Sequence, residues 1–422
     1  MRAQFPSGWS RLRISPNNLN LANTLPVGQS FLWHRRILAS DTGGCREEFS
    51  RAVDDPPRVL FMRQTETDLW YTSLYPANQT RPNDDVDLPW IMDYFQLERH
   101  PSLEDLFADW RKRDPKLFGV AEVGSRAQGV RVLRQDPWEC LIAFITSTNN
   151  HIPRITSLLH RLTHTFGRPV VIDDMDDGTL SYHLFPAAHE FGSELEHQLR
   201  NMGFGYRARF LESTLETLRA RYGSQPGVIE AGLRDLRAAD VGLARDELIQ
   251  LMGVGRKVAD CVLLMSLDKS SIIPIDTHML AVASRHPSFP HRLRNKAMSA
   301  QAYDEVQTFL QDKWGPMGGW CQAVVFAVDL KERPTPEDKS PTGPEVKLEA
   351  VPEIDTAAIS SIEHKETSTT KVQRKRRIFE GAAVVRHSTQ TKRTRNSSTM
   401  MFKASTETLV ATKVKGEDDM TK

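Results

Sequence analysis

Apolar and polar positions follow two different rhythms along this chain. Up to about residue 120, apolar residues come in short blocks rich in aromatic and β-branched side chains. Arg58-Val59-Leu60-Phe61-Met62 and Leu69-Trp70-Tyr71-Thr72-Ser73-Leu74-Tyr75 are the clearest, with Gly, Pro and Asp between blocks. Such blocks predict an antiparallel sheet. Leu25 to Trp33 (LPVGQSFLW) reads as a turn entering an apolar segment. Between Ser102 and Arg113 the rhythm is helical: Leu103, Leu106, Phe107 and Trp110 share a face behind Ser102 as N-cap.

From about residue 135 helical spacing takes over. Asp136-Pro137-Trp138-Glu139 opens a helix with Asp as N-cap, Pro at the first position and Glu in the first turn. Leu141, Phe144 and Ile145 form its buried stripe. After a polar break from Ser147 to His151, Ile155, Leu158, Leu159, Leu162 and Phe166 align on one face and Gly167 stops the helix. Two helices flank Gly203-Phe204-Gly205-Tyr206-Arg207, and helix, hairpin and helix fill Asp246 to Leu267. A short helix runs from Asp276 through Arg285, and helices over 300–314 and 320–330 complete the domain. Beyond Leu330 periodicity ends and Lys, Glu, Thr, Ser and Pro dominate, which predicts a disordered tail. The expected class is α+β: a sheet-rich domain (1–128) packed on an all-helical domain (129–330), followed by the tail (331–422).

Composition narrows the partners. The 422 residues carry a net charge of +1. About 18 basic and 14 acidic residues fall in 331–422, leaving the folded part slightly acidic. Net charge gives no support to DNA binding, so any DNA contact must use local patches and oriented backbone dipoles. No apolar run reaches the roughly 18–20 residues that a membrane helix needs, and no membrane partner is expected. Cys45, Cys140, Cys261 and Cys321 are scattered, without metal or iron–sulfur spacing, and read as free thiols in a reducing compartment. The tail clusters Lys371 to Arg377 and Lys392 to Arg395 read as nuclear-import signals or phosphate contacts, against the plainer alternative of a solvated charge run. The expected location is the nucleus. The basic start MRAQFPSGWSRLRIS also fits a mitochondrial presequence, although strand-like sequence begins almost at once.

Candidate chemistry concentrates in Leu248 to Leu280, LIQLMGVGRKVADCVLLMSLDKSSIIPIDTHML. Gly253-Val254-Gly255 is a tight turn whose amides meet the N-terminus of the next helix, an anion pocket built without basic side chains. A G-x-G at a helix start also serves as a plain turn. Lys257 sits in that helix's first turn beside Arg256. The dipole and the second cation would both lower its pKa and free the amine as a nucleophile; the alternative is a solvated lysine. Cys261, one turn on, lies on the same face, either lining the same pocket or simply filling core. After the extended segment Ser271 to Ile275, Asp276 reads as a helix N-cap. A carboxylate there would also stabilise an oxocarbenium-like centre. His278 follows, either to hold a phosphate or as an ordinary surface histidine.

This stretch resembles the helix-hairpin-helix, glycine-rich loop and aspartate motif of DNA base-excision glycosylases. Within that superfamily it is similar to the eukaryotic 8-oxoguanine DNA glycosylase/lyase. Four other stretches match in order, over about residues 10–330: LPVGQSFLW (25–33), GVRVLRQDPWECLIAFITSTNNHIPRIT (129–156), GFGYRAR (203–209) and WGPMGGWCQAVVFAVDL (314–330). The resemblance implies removal of 8-oxoguanine opposite cytosine, with Lys257 as Schiff-base nucleophile and Asp276 as catalytic carboxylate. It implies that Gly28 offers its carbonyl to the N7 proton found only on oxidised guanine, that Gln322 binds the base edge, and that Phe326 and Cys261 sandwich the ring. Asn149, Arg154 and Arg207 would read the cytosine, Tyr206 would fill the gap, and His278 and the amides of Gly253, Val254 and Gly255 would hold phosphates. The carbonyls of Ile249, Leu251 and Val254 would hold a monovalent cation, with no organic cofactor. The expected state is a monomer, its tail free to bind import receptors or repair proteins.

Three positions depart from the family pattern: His151 for asparagine, Met252 for proline and Leu280 for an aromatic residue. Two rival readings stand: a glycosylase for another damaged base, and a non-catalytic helix-hairpin-helix module that only docks DNA. Relatives acting on adenine or oxidised pyrimidines commonly carry an iron–sulfur loop, which these cysteines do not provide.

Overall fold

The aromatic and β-branched blocks form the sheet that their spacing predicts. The structure, a computed structural model, describes residues 2–100, 102–121, 126–174, 177–294 and 298–332. β1 (Ser10–Arg13), β2 (His34–Thr42), β3 (Cys45–Val53), β4 (Arg58–Gln64) and β5 (Asp68–Leu74) lie in the order β1-β5-β4-β3-β2, each neighbour antiparallel. One helical turn, α1 (Leu21–Thr24), lies between β1 and β2. β4 is covered on both faces, and its period of two divides the cover. Leu60 and Met62 pack with Ile91 and Tyr94 of α2 (Asp87–Tyr94). Val59 and Phe61 pack with Val170 and Ile172. Those two belong to β6 (Pro169–Asp174), paired with β7 (Gly178–His183) in a ribbon inserted among the helices. The sequence pattern marks no element there, because β7 buries none of its side chains fully.

α3 (Leu103–Arg113) and α4 (Phe118–Ala121) precede the main helical run. Ser102 caps α3 as expected, accepting from the Asp105 amide. Leu103, Trp110, Leu117 and Phe118 enter the helical core rather than the sheet's, so residues 103–118 pack with the later helices. Those helices are α5 (Pro137–Thr146), α6 (Ile152–Phe166), α7 (Leu195–Asn201), α8 (Arg207–Tyr222), α9 (Val228–Asp235), α10 (Val241–Ile249), α11 (Arg256–Ser266), α12 (Thr277–Ser284), α13 (Ala300–Trp314) and α14 (Gly318–Glu332). α5 is buried along its whole length and packs against α6, α8, α9 and α11. Its start is the predicted one: Asp136 accepts from the amides of Trp138 and Glu139. Gly167 ends α6 for a reason other than a left-handed turn. Its φ is −81°, but a Cβ there would lie 2.0 Å from the Leu184 carbonyl, so glycine lets the chain cross.

Arg131 ties the two halves together. It is fully buried and donates to the carbonyls of Phe95 (2.6 Å), Asn18 (2.9 Å), Gln96 (2.9 Å) and His100, with Trp320 of α14 stacked 5.3 Å away. Burial lowers its pKa to about 10, which still leaves it cationic near neutrality. Arg131→Met would strand these carbonyls. The expected loss is about 3–5 kcal/mol, read as a lower denaturant midpoint; an unchanged midpoint would contradict this role. The tail, with its clusters Lys371 to Arg377 and Lys392 to Arg395, lies outside the described residues.

Candidate active site

α10, the turn Gln250 to Gly255, and α11 make the expected helix-hairpin-helix. Gly253 has φ +82°, and a Cβ there would sit 2.7 Å from the Phe210 ring, so glycine is required twice over. Gly255 differs from the expectation. Its backbone is extended (φ −88°, ψ −179°), a conformation open to any residue. What its missing side chain provides is free space before the first turn of α11. Met252 takes the place of the pattern's proline, and the turn is held from α8 instead: Thr214 Oγ1 donates to the Met252 carbonyl at 2.9 Å. Leu251 and Val254 are buried beneath it and Ile249 is exposed. The Leu251 carbonyl accepts from the Val254 amide at 3.1 Å.

Lys257 is half-buried in the first turn of α11. Its Nζ lies 5.1 Å from the centroid of the Phe144 ring on α5, a cation–π contact across the most extensive helix pairing in the core. Cys261, one turn on, lies close enough to feel its charge. Burial pushes the Cys261 thiol up to about 11, Lys257 opposing the rise, so near neutrality Cys261 is a thiol and not a thiolate. Arg256 does not crowd the amine as the sequence implied. It pairs with Asp304 and lies 5.6 Å from the Tyr303 ring, so its charge is balanced elsewhere.

Asp276 caps α12 as expected, accepting from the Met279 amide at 2.9 Å. The approach to it, Ile272 to Ile275, is buried. α14 seats this segment. The Gly319 amide donates to the Ser270 carbonyl at 2.9 Å, and a Cβ on Gly319 would be 2.3 Å from the Ile272 carbonyl. His278, on the same short helix, meets the Phe326 ring edge-on at 5.9 Å and lies 3.7 Å from Asp329, which also pairs with Arg285. Gln322 lies one turn before Phe326 on α14. It is 5% exposed, and its Oε1 has no hydrogen-bond partner. Gly28 has φ +79° and packs against Ile152. Phe31, just beyond it, meets Phe144 edge-on at 6.2 Å, which links the Gly28 loop to the lysine.

A second cluster forms past the C-terminus of α5. Asn149 is exposed with φ +47°. Tyr206 is 44% exposed, its hydroxyl donating to the Thr148 carbonyl at 3.2 Å. Arg154, also exposed, donates to the Gly203 carbonyl at 3.3 Å. Arg207 is 3% exposed and its donors already serve the carbonyls of Thr148 (2.8 Å) and Asn149 (2.7 Å), with Tyr206 stacked at 4.6 Å. Here it braces the Asn149 turn rather than reaching into solvent. α5 thus joins two groups of residues: Phe144 under the lysine, and the Thr148-Asn149 turn beyond its end.

Sequence spacing passed over Asp260, Tyr303 and Gln307, whose hydrogen bonds join α11 to the Asp276 approach. A charged residue inside the apolar run of α11 was the available signal. Among the described residues no three His, Cys, Asp or Glu side chains are grouped to hold a metal ion. All four cysteines are buried, and Cys140, Cys261 and Cys321 are free thiols.

A hairpin of this form, with a lysine at the head of its second helix and a helix-capping aspartate on the segment that follows, is the arrangement expected of a DNA base-excision glycosylase of the helix-hairpin-helix class. Residues 11–141 match the model for the 8-oxoguanine DNA glycosylase N-terminal domain. The chain is 32% identical to N-glycosylase/DNA lyase OGG1 of Arabidopsis thaliana, covering 78% of this chain and 82% of that one. It is also 32% identical to the N-glycosylase/DNA lyase of Saccharomyces cerevisiae, covering 76% and 86%. Among solved structures, the Clostridium acetobutylicum 8-oxoguanine glycosylase/lyase, bound to double-stranded DNA with cytosine opposite 8-oxoguanine, superposes with a TM-score of 0.57 at 25% identity, over 75% of this chain and 93% of that one. The chain belongs to the N-glycosylase/DNA lyase family and is a bifunctional enzyme.

Proposed function

We propose that this enzyme excises 8-oxoguanine paired with cytosine from duplex DNA and then cleaves the strand by β-elimination, with Lys257 as nucleophile. The observation that carries the reading is the placement of the Lys257 amine against Phe144 and Cys261, on the helix that follows the hairpin. C1′ is unreachable inside a stacked duplex, so the base must first be extruded. The amides of Gly253 and Gly255, before α11, would hold a phosphate, joined by the Val254 amide if it leaves the Leu251 carbonyl, and His278 would hold a second one. A monovalent cation at the carbonyls of Ile249, Leu251 and Val254 belongs to the same reading, as does the absence of an organic cofactor.

Within the pocket, the Gly28 carbonyl accepts the N7–H of oxidised guanine, whereas the N7 lone pair of guanine repels it. Gln322 Oε1, buried without a partner, is completed by the base edge; leaving it unpaired costs about 1–3 kcal/mol. Phe326 and Cys261 take the two ring faces, and a neutral thiol suits an uncharged base. The Lys257 nitrogen bonds to C1′ as the C1′–N9 bond breaks, the base leaving with that electron pair and gaining a proton. Asp276 stabilises the positive charge developing on the sugar. The nitrogen loses a proton and the C1′–O4′ bond breaks, O4′ taking up a proton, to give an open-chain imine; this acidifies C2′–H, whose electron pair forms the C2′–C3′ double bond and expels the 3′ phosphate. Asn149 and Arg154 read the cytosine, Arg207 joins them by exchanging a carbonyl partner, and Tyr206 fills the gap. The enzyme acts as a monomer in the nucleus.

The test compares excision from duplexes carrying 8-oxoguanine opposite cytosine, 8-oxoguanine opposite adenine, guanine opposite cytosine, and an oxidised pyrimidine. Only the first should be processed fast. Arg154→Ala should shrink the cytosine-over-adenine preference by roughly 5- to 100-fold, the value of one bidentate base contact. Equal processing of guanine, or a preferred oxidised pyrimidine, would contradict the reading.

A further inference from the structure

Asp260 is a fully buried carboxylate on α11, one turn beyond Lys257 and next to Cys261. It accepts from Arg245 Nε of α10 at 2.8 Å, and from two α13 groups, the Tyr303 hydroxyl at 2.8 Å and Gln307 Nε2 at 2.7 Å. The Tyr303 oxygen in turn accepts the Ile275 amide at 3.0 Å, and Gln307 Nε2 also donates to the Ile273 carbonyl at 2.8 Å. The chain of donors has one direction: the Ile275 amide donates to Tyr303, which donates to Asp260. Burial and the adjacent Asp260 raise the Tyr303 pKa, so the hydroxyl stays a donor.

The two ends of this chain matter. Ile275 immediately precedes Asp276, and Asp260 shares α11 with Lys257. We infer that Asp260, Tyr303 and Gln307 are positioning residues that fix the Asp276 carboxylate relative to the Lys257 amine. The inference rests on the catalytic roles proposed above. An apolar trio of similar volume would support stability about as well, because a buried ionised carboxylate costs heavily to desolvate. What the polar bracket adds is direction. Its bonds form at one register of the 273–275 segment on α11, whereas apolar contacts would tolerate sliding, and a misplacement of about 1 Å can cost roughly 10²-fold in rate.

Tyr303→Phe keeps the ring and removes only the linking hydroxyl. With the full chain, single-turnover excision from an 8-oxoguanine–cytosine duplex, Kd for a duplex with a stable abasic-site analogue, and the unfolding midpoint are measured. The rate should fall roughly 10- to 100-fold while Kd stays within about twofold. Gln307→Met, which frees the Ile273 carbonyl, should show the same split to a smaller degree. Gln311→Ala removes a 3.0 Å bond from α13 to the Ser271 carbonyl, at the far end of the same segment, and should keep the wild-type rate. A Tyr303→Phe rate within about twofold of wild type would overturn the inference, as would an equal slowing by Gln311→Ala or a Kd that weakens in step with the rate. If Lys257→Gln still forms a covalent adduct, the underlying roles fail instead, whatever Tyr303→Phe does.

Discussion

Asp276→Asn should slow single-turnover excision by roughly 10²- to 10³-fold and leave the fold almost untouched. The substitution separates the two duties of this residue. As an N-cap, asparagine is about equal to aspartate, because its side-chain oxygen still accepts from the Met279 amide. The expected change in unfolding free energy is therefore below about 1 kcal/mol. As a catalytic group, asparagine lacks the negative charge that would face the cationic sugar in the transition state. A neutral amide dipole recovers only part of that stabilisation. Asp276→Ala should lose the cap as well, so both rate and stability should fall. If Asp276→Asn kept the wild-type rate, capping would be the whole of its role.

Elements whose burial follows from local spacing were legible in the chain. The start of α5 is the clearest case, since Asp136, Pro137 and Glu139 specify a helix N-terminus with no help from tertiary contacts. The cap at Asp276 and the hairpin at Gly253 were legible for the same reason. Features that depend on distant partners were not. Arg131 looks like any surface arginine until the carbonyls of Asn18, Phe95, Gln96 and His100 gather round it. Arg256 seems a neighbour of Lys257 until Asp304, 48 residues away, draws it aside. Gly319 reads as a helix-weakening residue, and only the Ile272 carbonyl beside it explains the need for glycine. The β6–β7 ribbon escaped because its alternation is short and weak: only Val170, Ile172 and Asp174 of β6 are buried, and β7 buries none of its side chains fully.

The candidate site divides along the same line. Lys257 and Asp276 lie in one continuous motif, and the chemistry proposed for them was readable from its local spacing. The base-choosing roles proposed for Gly28, Gln322 and Phe326 fall on residues far apart in the chain, whose placement depends on the fold. For those residues the family resemblance is the source of the proposed roles. Geometry then refined two of the expectations. Cys261 is a neutral thiol, and Arg207 braces the Asn149 turn. The bracket of Asp260, Tyr303 and Gln307 escaped local spacing, because its hydrogen bonds join residues far apart in the chain.

Covalent chemistry at Lys257 is the central claim. Replacing it with glutamine keeps much of the side chain's length and polarity but removes the nucleophile, so excision and strand cleavage should drop by roughly 10⁴-fold or more. The most direct measurement is borohydride trapping on a duplex containing one 8-oxoguanine opposite cytosine. An imine between lysine and C1′ is reduced to a stable amine, and the protein then migrates with the DNA under denaturing conditions. Such an adduct is expected with the wild-type chain, its link mapped to Lys257, and none with a folded Lys257→Gln protein. Equal adducts from both proteins, or a link mapped to another residue, would contradict it.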